Sequence, residues 1–215
     1  MWNPLIKKNI DKKDLTNFDA RIHIEHPAAE SIFESNLGFF LSCLYIVPSP
    51  LIILCIGTDR STGDSLGPLV GTQLQEMNLQ SAVVYGTLEE PVHAVNLQDT
   101  IDLINSQYTQ PFILAIDACL GRSESVGSIR VKEGPLQPGT GVNKDLPNVG
   151  NIQIVGIVNV GGFMEYMVLQ NTRLSLVMKM AHIISRGIKK EIEKIIPYLP
   201  SNINYSPAQE PAHPL

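Results

Sequence analysis

The sequence has few of the residues that hold small disulfide-rich or zinc-bound domains together. Among 215 residues there are only three cysteines, Cys43, Cys55 and Cys119, and none of them belongs to a Cys-x-x-Cys pair. This spacing argues against a disulfide framework and a zinc knuckle. Cysteines used so sparingly fit a reducing compartment, so we expect a cytoplasmic protein.

Charge is also scarce. Charged residues make up 17% of the chain, and 16 Lys and Arg against 21 Asp and Glu give a net charge of −5. Nucleic acids and anionic membranes require clustered positive charge, so a mildly acidic chain is not expected to bind either. With 44% hydrophobic residues, the chain has enough apolar material for one sizeable core.

Long apolar runs are missing too. The longest, 37–47 and 51–57, are separated by Pro48 and Pro50, and each is shorter than the roughly 20 residues that cross a membrane. The N-terminus is polar with mixed charge, which is not typical of a signal peptide. We therefore expect a soluble protein.

Apolar patterning predicts alternating strands and helices. Continuous apolar runs indicate strands buried on both faces, which is typical of parallel sheets. Strands are predicted at 51–57, 82–88, 112–117, 128–132 and 152–159, and helices at 28–47, 65–77, 92–104 and 163–196. The pattern predicts an α/β fold with three α/β/α layers around a mostly parallel sheet. We expect an N-terminal arm over 1–26, a single domain over 27–197 and a disordered tail over 198–215.

The loops after three strands carry acidic residues, where parallel sheets place their functional groups. The first loop runs from Gly57 to Pro68, and it fits neither a Walker A sequence nor Gly-x-Gly-x-x-Gly, so no nucleotide is implied. Asp64 lies at the mouth of a predicted helix, whose amides should lower its pKa. Asp117 ends an apolar strand, where desolvation should raise its pKa. One ionised and one protonated carboxyl group can activate water and protonate a leaving group.

The same two aspartates have a structural interpretation. Asp64 could simply cap its helix, and Asp117 could simply hold a turn. Other side chains in these loops could support a reaction by orienting a substrate, and His93 could join the two aspartates in a metal site. The supporting candidates are Thr58, Asp59, Arg60, Ser65, Glu89, His93 and Arg122. Cys119 lacks a positioned base and is expected to pack rather than react.

Residues 63–66 also spell Gly-Asp-Ser-Leu, the signature of a class of serine esterases. In that alternative Ser65 is the nucleophile. The base would have to come from Glu210-Pro-Ala-His213 in the predicted tail, far from the strand ends. A catalytic triad needs its base within hydrogen-bonding reach of the nucleophile, which disfavours this alternative.

Three segments resemble a known family. Residues 61–70, 115–118 and 138–143, the last including Gly141 and Asn143, are similar to the YyaC-type sporulation protease family. They are also similar to the spore germination protease and, more broadly, to the hydrogenase maturation protease-like (phosphorylase-like) fold. The resemblance covers about 51–190 and implies an atypical aspartic endopeptidase of the sporulating cell, with Asp64 and Asp117 as catalytic residues. It implies a small acid-soluble spore protein as substrate.

The sequence also differs from the hydrogenase maturation proteases at one point. Hydrogenase maturation proteases use an acidic pair and a histidine to grip nickel in their substrate, but the loop 133–150 that should carry this histidine contains none. We therefore expect no required cofactor, and a divalent metal at Asp64, Asp117 and His93 stays open. A non-catalytic relative that binds a peptide or a metal is the alternative function. The oligomeric state, including a homo-oligomer, also stays open, as does which aspartate is the acid.

Overall fold

The computed structural model describes residues 19–47, 49–79, 81–138, 146–195 and 197. In these residues the chain forms a six-stranded sheet with the strand order β1-β5-β6-β4-β2-β3. The strands are β1 (Asp19–His23), β2 (Leu51–Cys55), β3 (Val83–Tyr85), β4 (Phe112–Gly121), β5 (Ser128–Glu133) and β6 (Ile152–Val160). Strands β2, β3, β4 and β6 are parallel, whereas β5 and β1 form an antiparallel extension.

The connection order creates a crevice between β2 and β4. From β2 the chain passes to β3 on one side and then returns to place β4 on the other side of β2. Loops leaving the carboxyl ends of β2 and β4 therefore diverge. Open α/β sheets bind their ligands at such a switch point.

Helices cover both faces of the sheet. They are α1 (Ala29–Leu44), α2 (Leu66–Glu76), α3 (Leu97–Gln107), α4 (Glu165–Gln170) and α5 (Leu174–Ile195). The core on one face joins α1, α2 and α5, and the core on the other face contains α3 together with Leu136 and Val149. The three-layer α/β/α architecture predicted from the sequence is therefore confirmed.

The two cores explain why the central strands lack polar alternation. Successive side chains of a strand point to opposite faces of its sheet. In β2, Ile53 and Cys55 lie in the core with α1, α2 and α5, whereas Ile52 and Leu54 lie in the core with α3. All four are fully buried, so each position of the strand needs an apolar residue.

Several predicted boundaries are wrong. Residues 19–23, assigned to the N-terminal arm, form the edge strand β1, whose Ala20 and Ile22 are buried while the alternate side chains are exposed. The predicted single helix over 163–196 is divided into α4 and α5 at residues 171–173. The predicted helix over 92–104 begins only at Leu97, and β3 covers only residues 83–85 of the predicted strand 82–88. Residues 1–18 and the predicted tail 198–215 lie outside the described residues.

No helix among the described residues is long and apolar enough to cross a lipid bilayer.

The packing of α2 against the sheet makes a test possible at Gly71. A Cβ atom added there would overlap the carbonyl oxygen of Gly86. Gly71→Ala should therefore lower the free energy of unfolding by about 1–3 kcal/mol, although Gly to Ala in a helix otherwise stabilises by about 0.5–1 kcal/mol. Urea unfolding measures the difference. The control is Gln75→Ala on the exposed side of the same helix, and a stability gain in Gly71→Ala would contradict the observed packing.

Candidate active site

Asp64 lies in a tight turn that folds back over the end of β2. The 3-10 turn Thr62–Ser65 leads directly into α2. The Asp64 carbonyl accepts the Thr58 N–H at 3.0 Å. Gly57 has a φ of +144°, and a Cβ atom there would overlap the same carbonyl oxygen. Glycine thus allows the turn to close tightly enough to hold Asp64 beside the strand end.

Asp117 lies on the neighbouring strand, just beyond the end of β2. The Cys55 position pairs with Ile116, and the Ile56 N–H donates to the Ile116 carbonyl at 2.7 Å. The strand β4 continues to Gly121, so the predicted strand end at Asp117 is wrong. The alternative that Asp117 only holds a turn is wrong for the same reason. Asp117 is 8% exposed, and its Oδ1 accepts the Ala118 N–H at 2.8 Å.

His93 reaches the same edge from the segment that follows β3. Val92 forms a bridge with Ile56, and its carbonyl accepts the Gly57 N–H at 2.8 Å. The His93 N–H donates to Asn96 Oδ1 at 2.8 Å, and Asn96 Nδ2 donates to the Pro91 carbonyl at 3.0 Å. Asn96 was missed by the sequence analysis. Its spacing of three residues after His93 is the turn signal that could have indicated it.

The two aspartates interact electrostatically. Burial raises the pKa of Asp117 well above its usual value, and the neighbouring Asp64 carboxyl group raises this pKa further. The Ala118 N–H opposes both effects because it stabilises the ionised form. Asp117 therefore holds its proton far more strongly than an ordinary aspartic acid does.

Burial also raises the pKa of Asp64, against the effects of His93 and of the Thr58 N–H, which lower it. The predicted lowering of this pKa by the amides of a helix N-terminus is therefore wrong, since desolvation is the largest effect. Asp64 is less buried than Asp117 and has a cationic neighbour when His93 is protonated. Of the two carboxyl groups, Asp64 is consequently the one that ionises first. Asp64 also lies inside the 3-10 turn rather than at the N-cap of α2, which is Ser65, so the helix-cap interpretation does not hold.

The other predicted site residues differ in how deeply they are buried around the pair of aspartates, Asp64 and Asp117, which we call the dyad. Thr58 is half-buried and binds the Asp64 turn through its backbone. The charged residues at this edge are exposed: Asp59, Arg60, Glu89 and Arg122. They line the rim rather than the buried centre. Gly141 and Asn143 lie outside the described residues.

Ser65 and Cys119 have local structural roles. Ser65 is buried, and its hydroxyl donates to the Thr62 carbonyl at 2.8 Å within its own turn. His213, the base required for the esterase alternative, lies outside the described residues. Burial is the main effect that raises the pKa of Cys119 to about 11, so its thiol stays protonated at neutral pH, as predicted from the sequence.

Comparison with known proteins supports a family assignment. Residues 21–187 match a family described as "Protein of unknown function (DUF1256)". The chain belongs to this family. A relative from Bacillus subtilis (strain 168), "Uncharacterized protein YyaC", is 61% identical over 139 residues, which cover 65% of this chain and 68% of the relative. The similarity to YyaC expected from the sequence is thus confirmed, and the protease assignment stays a prediction.

The DUF1256 chain also shares its fold with a solved structure. The [NiFe] hydrogenase maturation protease HycI from Thermococcus kodakarensis KOD1 matches with a TM-score of 0.50 and 14% sequence identity. The match covers 74% of this chain and 99% of HycI. The fold expected from the sequence, that of the hydrogenase maturation proteases, is confirmed.

The buried dyad predicts a pH-dependent stability. Folded Asp117 keeps its proton to a higher pH than the unfolded chain does, so its ionisation destabilises the fold as pH rises above about 4. Asp117→Asn cannot ionise. The variant should exceed the wild type in free energy of unfolding at pH 7, and the gain should disappear below about pH 4.

Urea unfolding at several pH values measures this gain. The control is Glu89→Gln, which removes an exposed carboxyl group from the same edge and should leave the pH profile unchanged. If the variant has no gain in free energy of unfolding at pH 7, or the same gain at every pH, then ionisation of Asp117 does not destabilise the fold.

Proposed function

We propose that this protein is a peptidase in which Asp64 and Asp117 hydrolyse a peptide bond of a protein substrate. One observation carries the proposal: the buried carboxyl group of Asp117 interacts with that of Asp64 at the switch point between β2 and β4. Structural ion pairs place a carboxylate beside a cation. A buried carboxyl group whose pKa is raised further by a second carboxyl group is instead typical of acid and base catalysis.

The different environments assign a role to each aspartate. Asp64, which ionises first, takes a proton from water as the water oxygen attacks the peptide carbonyl carbon. Asp117, which stays protonated, donates a proton to the leaving amine as the C–N bond breaks. The products are a carboxylic acid and an amine, and the proton on Asp64 returns to Asp117 through solvent. Since a coupled pair titrates as a unit, the roles could exchange without a change in the overall reaction.

Two comparisons favour this reaction and its biological setting. HycI, which has the same fold, is a protease by its name, although 14% identity carries no more than the fold. The YyaC relative comes from Bacillus subtilis, a bacterium that forms spores. We propose a spore protein as the substrate and the cytoplasm of the sporulating cell or spore as the location.

The proposed reaction uses the two carboxyl groups and water, without a metal or a cofactor. The part of the chain that the structure describes contains no group of three or more His, Cys, Asp and Glu side chains arranged to hold a metal ion. Asp117 Oδ1 already accepts a backbone N–H.

Replacement of either aspartate tests the proposal. Asp64→Asn and Asp117→Asn should each lower the rate of cleavage at least about 100-fold, because each removes a proton-transfer group. Purified small acid-soluble spore proteins are incubated with each variant, and mass spectrometry identifies the fragments. Both variants are also checked for folding by urea unfolding.

Two controls make the outcome specific. Asp59→Asn removes an exposed carboxyl group from the same loop and should retain the wild-type rate. EDTA should leave cleavage unchanged. Full activity in both dyad variants would overturn the proposal. Cleavage that requires an added divalent metal would overturn the metal-free reaction. Metal binding that is lost in Asp64→Asn, without any cleavage, would favour the non-catalytic metal-binding alternative.

A further inference from the structure

The exposed apolar side chains of the described residues are concentrated in one segment. Of nine large apolar side chains that are exposed, six lie between residues 160 and 174. We call these six the apolar ridge: Val160, Phe163, Met164, Tyr166, Met167 and Leu174. Phe163 is 98% exposed. Exposed apolar groups scattered singly are normal on a protein surface, but a contiguous set marks an interaction site.

Local structure directs the apolar ridge outward. Phe163 precedes α4 and Tyr166 and Met167 lie in its first turn, and all three side chains are exposed. The opposite side of this segment is fixed to the domain. Asn159 Nδ2 donates to the Val168 carbonyl and to Thr172 Oγ1, both at 3.2 Å. The apolar ridge is therefore held in place by polar contacts that leave its outer face uncovered.

The apolar ridge is continuous with the candidate active site. A Cβ atom added to Gly63 would lie 2.8 Å from Leu169 Cδ2 and from Thr172 Oγ1, so α4 packs directly on the turn that carries Asp64. At the start of the segment, the Gly161 N–H donates at 2.8 Å to the carbonyl of Gly121, the last residue of β4. The strand with Asp117 and the turn with Asp64 thus both contact the segment that presents the apolar ridge.

The charge of this segment indicates what kind of partner it fits. Between residues 160 and 174 the only charged side chains are Glu165 and Arg173, which carry opposite signs. A partner that covers the apolar ridge therefore needs apolar side chains and little net charge. Next to these side chains it needs a backbone that can enter the crevice between β2 and β4.

We propose that the apolar ridge binds an uncharged, apolar stretch of the polypeptide substrate next to the bond that is cleaved. The inference rests on the peptidase function proposed above and adds the chemical class of the sequence that is recognised. A polypeptide crossing the dyad would pass along the apolar ridge, because the segment that presents the ridge contacts both the Asp64 turn and the end of β4. Aromatic and methionine side chains are also those most enriched at protein interfaces.

Peptide binding to the full chain carrying Asp117→Asn tests this inference without cleavage. The probes are two fluorescein-labelled peptides of equal length, one rich in Leu and Phe, and one with Ser and Asn in those places. The apolar peptide should bind, and the polar peptide should bind at least about tenfold more weakly. Adding Phe163→Ser and Met167→Ser should raise the Kd of the apolar peptide at least about tenfold.

The matched control carries Val95→Ser and Leu103→Ser, which remove exposed apolar side chains outside the apolar ridge. Its Kd should change less than about twofold. Equal affinity for both peptides, or equal losses in the two double variants, would overturn the inference. A wild-type dimer that Phe163→Ser and Met167→Ser convert to a monomer with unchanged peptide affinity would also overturn it, and would identify a second copy as the occupant.

A cleavage assay separates this inference from the proposed function. In the otherwise wild-type chain, Phe163→Ser and Met167→Ser should raise KM for the apolar peptide with little change in kcat, because the apolar ridge contacts the substrate away from the reacting atoms. Unchanged KM with normal cleavage would contradict the inference and leave the peptidase function standing. Selective binding without cleavage by the wild type would contradict the peptidase function alone.

Discussion

The burial of the Asp117 carboxyl group beside Asp64 is the constraint on which the account of this protein depends. A carboxyl group in the interior of a central strand destabilises the fold unless it stays protonated, and a second carboxyl group next to it increases that cost. Apolar residues fill the other positions of the same strand from Phe112 to Ile116. A sheet built for stability alone would continue the apolar pattern. Asp117 therefore lowers the stability of the fold, and a reaction at this position would explain why the chain has it there.

The chain meets this constraint through close backbone packing. Gly57 lets the turn fold back over the strand end, and a Cβ atom at Gly67 would overlap the backbone of Ile56. The first turn of α2 is thereby pressed against β2, which brings the Asp64 turn to the crevice that the strand order creates. Asn96 fixes the turn with His93 on the other side. The strand order thus sets where the two aspartates lie, and Gly57, Gly67 and Asn96 set how the turns around them are held.

Much of the fold and the identity of the dyad could be predicted from the sequence, because parallel strands buried on both faces leave continuous apolar runs whose ends meet at one edge. The short strand β1 could not be predicted from the sequence, since only Ala20 and Ile22 mark its buried face. The break between α4 and α5 was hidden because the apolar spacing continues across it, while Thr172 Oγ1 bonds back to the Val168 carbonyl at 2.9 Å. The raised pKa of Asp64 depends on neighbours from other segments, which no local pattern contains. The apolar ridge could not be predicted either, because a sequence does not distinguish exposed apolar residues from buried ones.

The titration of the Asp117 carboxyl group tests the central claim most directly. Carbon-13 NMR of the side-chain carboxyl carbons follows each aspartate in the wild type and in Asp64→Asn, a substitution that removes the neighbouring charge and keeps the shape of the side chain. The account predicts that Asp117 titrates well above the usual value of about 3.9 for aspartate and that its pKa falls in Asp64→Asn, because the two groups titrate as a coupled pair. An Asp117 that titrates near the usual value, or whose titration is the same with and without the Asp64 carboxyl group, would contradict the account.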